Sequence, residues 1–198
     1  DTWHLDLATR VDLSRIEPET EIPDAAIGHI RTRQFATWSA SASVFRGVSD
    51  SWRAGVAISR SARHPTIEEL YSRGPHLAAY SYEVGNPELD AETGWGVELI
   101  GHVSTGNLQA MASAFRYVLD DYIVPRNTGD TNYQTFLPVF ASQGVPATLN
   151  GLELRASQGL QARWKLSGSV GYTHGSIRSD RQPLPMIPPL KGRQIGRA

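Results

Sequence analysis

The stretch WHLDLATRVDL, residues 3–13, alternates apolar and polar side chains with a period of two. Its odd-numbered positions are apolar apart from Thr9, and its even-numbered positions include aspartate, histidine and arginine. Successive side chains of an extended strand point to opposite faces. The stretch therefore predicts a β-strand with one apolar face and one polar face.

The same alternation recurs along the chain and predicts seven strands and the beginning of an eighth. It is found in residues 3–13, 35–45, 51–60, 95–103, 107–122, 150–157 and 163–174, and it begins again at 191–198. These runs exceed the roughly 5–6 residues that are typical of strands in soluble sheets. Most of them reach the about 9–11 residues with which a tilted strand crosses a bilayer.

The links between the runs alternate between long and short. Tight links near residues 47–50, 104–107 and 158–161 separate long ones near 61–92, 123–145 and 175–190. An up-and-down meander with elaborate loops at one end and turns at the other is typical of a transmembrane β-barrel wall. A soluble antiparallel β-sandwich or large β-sheet protein is the alternative, because it also alternates.

Charged side chains support the membrane interpretation, because a Lys or Arg facing lipid at mid-membrane costs roughly 2–4 kcal/mol. In residues 107–122 the larger apolar side chains are assigned to the apolar face, and these are Met111, Phe115, Tyr117 and Leu119. The charged residues assigned to the polar face of the strands are Asp6, Arg10, Arg53, Glu98, Arg116, Glu153, Arg155 and Lys165.

Composition excludes several classes of protein. The chain has 198 residues, a formal net charge of -1 and no cysteine. Disulfides and thiolate metal sites are therefore excluded, and the near-zero net charge argues against a nucleic-acid partner. Because the first and last residues fall within strand patterns, we expect an internal piece of a longer protein.

The one helical signal lies in RHPTIEELYSRG, residues 63–74. Thr66 followed three residues later by Glu69 forms a capping box, and Gly74 with Pro75 ends the helix. The sequence thus predicts one short helix within a long external loop.

Four motifs, in order and in register, resemble the C-terminal barrel region of TonB-dependent outer-membrane receptors. They are R-x-P-T-x-E-E-L-Y from Arg63, G-N-P-E-L-D-A-E from Gly85, the strand ending in Asp121 and Ile123, and N-G-L-E-L with the later L-P-M-I-P-P. Ala91 stands where the family usually has proline. The matching motif residues are Arg63, Pro65, Glu69, Leu70, Gly85, Asn86, Pro87, Leu89, Glu92, Gly151 and Glu153.

The resemblance implies a fold, a location and partners. Residues 1–198 would be about eight strands of a roughly 22-stranded all-β, antiparallel up-and-down barrel. The N-terminal plug and the C-terminal closing strands would be absent. The parent would lie in the outer membrane of a Gram-negative bacterium, with outer-membrane lipid and lipopolysaccharide around it and the TonB complex acting through the missing plug.

The resemblance also implies active uptake of a metal or metal chelate. An iron–siderophore complex is the first expectation, with zinc or cobalamin as alternatives, and a passive porin is the rival function. The candidate ligand-binding residues in the external loops are His64, His76, Tyr80, Tyr82, Asp120, Asp121, His174 and Asp180. Imidazole and carboxylate groups can coordinate a metal directly. We expect no enzymatic activity, no cofactor and no nucleic-acid partner.

Overall fold

The computed structural model describes residues 2–19, 21–160 and 164–197. Its strands are β1 (Trp3–Ile16), β2 (Ile22–Asp24), β3 (Gly28–Ile30), β4 (Arg33–Ser49), β5 (Trp52–Arg63), β6 (Arg73–His76), β7 (Ser81–Val84), β8 (Glu92–Thr105), β9 (Leu108–Asn132), β10 (Leu137–Leu160), β11 (Trp164–Ile177) and β12 (Lys191–Arg197). A short helix, α1 (Ile67–Tyr71), and a 3-10 turn (Leu77–Ala79) lie between β5 and β8. Among the described residues, no helix is long and apolar enough to span a membrane.

The long strands form one continuous antiparallel path, in the order β1-β4-β5-β8-β9-β10-β11-β12. Connections at one end are tight, as at the Thr105–Leu108 turn, where Gly106 has a φ of +52°. Connections at the other end, called the external end below, contain β2, β3, α1, β6, β7 and the segment 178–190. Within the described ranges β1 and β12 do not pair with each other, so the path is an open wall.

The strand registers give this wall two chemically different faces. The row Leu7–Ala42–Ile58–Val97 lies on the apolar face, and the row Asp6–Ser43–Ala57–Glu98 lies on the polar face. On the apolar face Leu7 is 72% exposed and Leu154 is 55% exposed, because the described residues leave that face uncovered. A water-soluble core buries such side chains, whereas a wall that faces lipid presents them.

The prediction for the faces of β9 was wrong. Phe115 pairs with Glu98, and Arg116 pairs with Val97, so the aromatic side chain lies on the polar face and the arginine on the apolar face. The reason is packing against glycine. A Cβ at Gly151 would lie 2.2 Å from the Phe115 ring, so the ring covers a cross-strand residue that has no side chain.

Met111, Tyr117 and Leu119 follow Phe115 onto the polar face, opposite their predicted side. Tyr117 covers Gly96 as Phe115 covers Gly151, because a Cβ at Gly96 would lie 2.1 Å from the Tyr117 ring. The alanines of β9 therefore occupy the apolar face.

In the described part of the chain, the clusters of buried apolar residues lie at the external end, under the long loops. One cluster joins Leu70 of α1 to Leu89 and Ile123. A second cluster joins the segment after β11 to β9 and β10, and its buried members are Val124, Val145, Ala147, Ile177 and Leu184. Both clusters lie where the loops fold over the wall, so the fold positions the loops and not only the strands.

Candidate functional site

The β5–β8 loop, residues 64–91, is built around α1. The Glu69 backbone N–H donates to the Thr66 hydroxyl at 3.2 Å, and the Thr66 backbone N–H donates to the Glu69 carboxylate at 2.8 Å. These reciprocal bonds fix the first turn of α1. The opposite side of the helix inserts Leu70, which is fully buried, against Leu89 and Ile123.

The G-N-P segment holds the other end of α1 through the backbone. The N–H of Gly85 donates to the Ser72 carbonyl at 2.7 Å, and the N–H of Asn86 donates to the Glu69 carbonyl at 2.9 Å. A Cβ at Gly85 would lie 2.5 Å from the Tyr71 backbone nitrogen, so only glycine allows this approach. The glycine is thus a packing requirement of the loop.

Ion pairs of Arg63 with Glu69 and Glu92 also stabilise the loop. The Arg63 guanidinium donates to Glu92 at 2.7 Å and to both carboxylate oxygens of Glu69, at 2.8 and 3.0 Å. Glu92 also accepts the backbone N–H of Ile123 at 2.6 Å. Burial acts to raise the pKa of Glu69, but hydrogen bonds from Arg63 and from the Thr66 backbone outweigh it, and the pKa lies below its usual value.

The same loop is tied to the β1–β4 loop by two ion pairs. Arg73 donates to Asp24 at 2.5 Å, and Arg31 donates to Glu88 at 2.7 Å. The Arg33 guanidinium also donates to the Leu89 carbonyl at 2.8 Å. The pKa of Asp24 lies below its usual value, first because the Ala26 N–H hydrogen-bonds to its carboxylate and further because Arg73 lies beside it. Two loops that are distant in sequence therefore form one unit.

The motif residues named in the sequence fall into two groups. Most of them build the β5–β8 loop, and these are Arg63, Pro65, Glu69, Leu70, Gly85, Asn86, Pro87, Leu89 and Glu92. The remaining two lie in β10, where Gly151 is covered by Phe115 and Glu153 accepts from Arg155 at 3.3 Å. Both groups have a local packing role.

β6 and β7 form an antiparallel hairpin within this loop. β7 pairs in parallel with β10, with Tyr82 opposite Val139. Since the two strands run in the same direction, this register sets Tyr80 level with Leu137, the first residue of β10, which follows Phe136 in the chain. Tyr80, Tyr133 and Phe136 are 71%, 86% and 75% exposed. Two hairpin tips therefore present exposed aromatic side chains at the same level.

The backbone at these tips is unusual. Tyr80 has a φ of 51° and Phe136 a φ of 56°, which is the left-handed region that non-glycine residues rarely adopt. Such conformations are costly and cluster at functional sites. We call Tyr80, Tyr133 and Phe136 the aromatic tips.

The candidate residues of the β5–β8 loop have local partners. The His64 ring stacks on Phe35 with 6.0 Å between ring centroids, and its Nδ1 lies 3.0 Å from the Pro65 carbonyl. The His76 Nδ1 lies 2.6 Å from the Glu83 carboxylate. Tyr82 lies half-buried in β7 beside β10. Tyr80, by contrast, is 71% exposed.

The remaining candidates lie on β9, β11 and the segment that follows β11. Asp120 accepts from Arg178 at 2.5 Å, and Asp180 accepts from Arg126 at 3.0 Å. The pKa of Asp180 lies below its usual value because the Gln182 N–H, and then Arg126, hydrogen-bond to its carboxylate. Asp121 is exposed, with a φ of 54°. His174 lies within β11 and not in a loop.

The eight candidates do not converge on one point. Among the described residues, no group of three or more His, Asp or Glu side chains is arranged to hold a metal ion. Sequence reasoning also missed Tyr133 and Phe136, whose only signal is the run YQTF within a long link. Arg126 of β9 and Arg178 of the segment after β11 were missed because their acidic partners lie 54 and 58 residues away along the chain.

Comparison with known protein families identifies the family of this chain. The family model "TonB dependent receptor-like, beta-barrel" matches residues 1–197. The chain belongs to this family. No curated protein matches it.

Solved receptor structures share the fold of this TonB-dependent receptor chain. The copper transporter OprC superposes with a TM-score of 0.76 at 24% identity, covering 97% of this chain and 30% of OprC. The siderophore receptor PirA from Pseudomonas aeruginosa gives 0.55 at 21% identity, covering 77% and 26%. The FrpB iron transporter from Neisseria meningitidis (F3-3 variant) gives 0.58 at 16% identity, covering 90% and 25%. The chain spans less than a third of each of these receptors.

In a barrel of this family the polar face lines the lumen, because the apolar face must meet lipid. On the polar face a cavity of about 330 Å³ is lined by Glu98, Glu153 and Arg155 together with the rings of Phe115 and Tyr117. Two histidines of the wall, His4 and His102, also lie on this face, and His4 is 3.5 Å from Asp6. The receptor wall therefore offers charged and hydrogen-bonding groups inward.

Proposed function

We propose that this chain forms part of the barrel wall and external vestibule of a receptor in the outer membrane of a Gram-negative bacterium. The receptor takes up a metal or metal chelate, with energy supplied by the TonB complex. An iron–siderophore complex is the first candidate ligand, and copper, zinc and cobalamin are the alternatives to test. The names of OprC, PirA and FrpB support metal-linked transport.

The observation that carries this proposal is the arrangement of the aromatic tips. The parallel pairing of β7 with β10 sets exposed Tyr80 level with exposed Phe136 at the external end. Aromatic side chains offer large contact area at low conformational-entropy cost and suit an organic chelate better than a bare ion. His76 and Glu83 beside the same hairpin supply polar contacts.

The rest of the receptor completes the proposal. The wall of eight strands is part of a larger barrel of about 22 strands, whose lumen holds an N-terminal plug. The TonB complex acts through that plug. Outer-membrane lipid and lipopolysaccharide surround the apolar face. The receptor has no catalytic role, no cofactor and no nucleic-acid partner.

Active uptake is tested with the full-length receptor in its own strain. A deletion strain is grown on limiting iron, zinc, copper or cobalamin, with and without TonB. We expect one of these nutrients to require both the receptor and TonB. Uptake that needs the receptor but not TonB would indicate a passive porin, and unchanged growth on every nutrient would reject the proposed transport.

The vestibule is tested by removing the aromatic tips. The double substitution Tyr80→Ala with Phe136→Ala should weaken uptake of the nutrient identified above by tenfold or more, as about 0.5–1.5 kcal/mol per aromatic contact adds to lost area. Met186→Ala is the matched control, because Met186 is 82% exposed with a φ of 60° in another loop. Equal uptake by the double variant and the control would show that the aromatic tips do not bind the ligand.

A further inference from the structure

The apolar band on the outward face ends at a polar residue on β10 and β11, whereas on β9 Val118, which pairs with Trp95, lies beyond the first polar residue. On β11 the outward side chains run from Trp164 to Tyr172, and on β10 they run from Leu160 to Leu152. Each run covers nine residues, close to the about 9–11 that cross a bilayer. The tight turns lie at one end of this band, so its other end marks the outer leaflet.

The next outward residue on each strand is polar. Arg116 on β9 pairs with Asn150 on β10, and Asn150 pairs with His174 on β11. Directly paired residues of an antiparallel sheet share a face with Cβ atoms about 4.5–5.5 Å apart. The three side chains therefore form one outward row, which we call the rim row, at the headgroup level of the outer leaflet.

The rim row has more donors than the protein uses. The Arg116 guanidinium donates to the Asn150 Oδ1 at 3.1 Å, which leaves the Asn150 N–H groups free to donate elsewhere. Within the described residues, Arg116 has no carboxylate partner, and the His174 ring has no hydrogen bond. The nearest acid further out, Asp120, is already paired with Arg178 at 2.5 Å.

Another arginine on the outward face, Arg60, has different contacts from those of Arg116. The Arg60 guanidinium lies 3.9 Å from the centre of the Trp38 ring and also donates to the Trp38 carbonyl. Arg116 has no ring contact of this kind in the described part of the chain. A cation at the membrane interface costs little, but one with unused donors favours an anionic partner.

We propose that the rim row binds the phosphate of a phosphorylated lipid headgroup in the outer leaflet. Arg116 supplies the positive charge and a planar pair of donors that fit phosphate oxygens. Asn150 and His174 supply neutral donors along the same row. The acyl chains of that lipid run down the apolar band below, which Leu152 and Tyr172 begin. This inference rests on the proposed membrane location but not on metal uptake.

The experiment is native mass spectrometry of the full-length receptor in detergent. Three lipids are added in turn: a bisphosphorylated diglucosamine lipid, its dephosphorylated form, and phosphatidylcholine. The wild type should retain the phosphorylated lipid, and Arg116→Gln should retain at least about tenfold less, as expected for a lost charge-assisted hydrogen bond. Arg155→Gln is the matched control, because Arg155 lies on the next strand but faces the lumen.

The outcomes separate the possible explanations. Equal retention by the wild type and Arg116→Gln overturns the rim row, as does equal retention of the dephosphorylated lipid. Inorganic phosphate that displaces the lipid completely, or binds without it, identifies a free-phosphate site and also overturns the proposal. A receptor that retains none of the lipids and stays monodisperse without detergent overturns the membrane location itself. Heat-modifiable migration on gels checks that each variant is folded.

Discussion

Two arginines near the external end of the wall are surrounded in opposite ways. Arg63, at the end of β5, makes hydrogen bonds of 2.7–3.0 Å to both Glu69 and Glu92. Arg116, on the outward face of β9, donates at 3.1 Å to the neutral amide of Asn150. The charge of Arg63 is thus neutralised by two carboxylates of the same chain, which stabilises the loop. The charge of Arg116 has no carboxylate partner among the described residues and can pair with a group outside the chain.

The largest expected effect comes from a substitution that disrupts the packing of the β5–β8 loop. Leu70→Ala removes a fully buried side chain between Leu89 and Ile123 and should weaken loop docking by about 2–5 kcal/mol. Hydrogen exchange at the Gly85 and Asn86 amides of the full-length receptor measures it. Leu77→Ala is the control, because Leu77 is 78% exposed and should leave exchange unchanged. Unaltered exchange in Leu70→Ala would contradict the docked loop.

The next largest effect compares the same substitution, arginine to glutamine, at the two positions. Arg63→Gln leaves Glu69 and Glu92 without a cation, and loss of hydrogen bonds to charged groups should cost about 1–3 kcal/mol. The amide of Ile123, which donates to Glu92 at 2.6 Å, reports it by faster exchange. Arg116→Gln should leave that amide as protected as in the wild type. If both variants expose Ile123 equally, the contrast between the two arginines is wrong.

A third prediction concerns the ring-over-glycine contacts that turn Arg116 outward. Gly151→Ala places a methyl group 2.2 Å from the Phe115 ring and 2.8 Å from the Tyr172 carbonyl. We expect a loss of about 1–3 kcal/mol, read as a lower temperature of heat-modifiable gel migration. Gly171→Ala is the matched control, because a Cβ there meets no atom within 4 Å. Equal loss in both variants would show that the ring contact does not matter.

The same two regions show which features of the fold can be predicted from the sequence. The bonds of α1 join residues three apart, so Thr66 and Glu69 could be read from the sequence alone. The alternation of β1 or β5 is equally legible, because each has its large apolar side chains on one face only. β9 is different, since both of its faces are apolar. Its orientation is decided by Gly96 and Gly151 on other strands, which local periodicity does not reveal.

The candidate site was less predictable for a similar reason. His64, Asp120 and Asp180 were chosen by chemical type, but each is engaged by a partner that is distant in sequence or in a neighbouring strand. The aromatic tips depend on the parallel pairing of β7 with β10, a contact between strands that β8 and β9 separate in the chain. Such long-range pairings carry no local sequence signal.

The smallest effect is a dependence of the loop on pH. The pKa of Glu69 is lowered in the folded loop, so its contribution to stability is fully present above the usual value of 4.5 and is lost as pH falls through the folded pKa. Because the ion pair with Arg63 is partly exposed, about 0.2–1 kcal/mol is expected. Protection factors at the Gly85 amide should therefore be constant from pH 7 to pH 5 and fall as the pH drops below the usual value of 4.5.

Glu69→Gln isolates that charge, because glutamine at the same helix position can still complete the capping box. The variant should show reduced protection at neutral pH and a weaker fall in acid than the wild type. Its remaining pH dependence then belongs to Asp24, which is paired with Arg73 of the loop and whose pKa is also lowered. An acid response as steep in Glu69→Gln as in the wild type would assign the transition to Asp24 and leave Glu69 with only its helix-capping role.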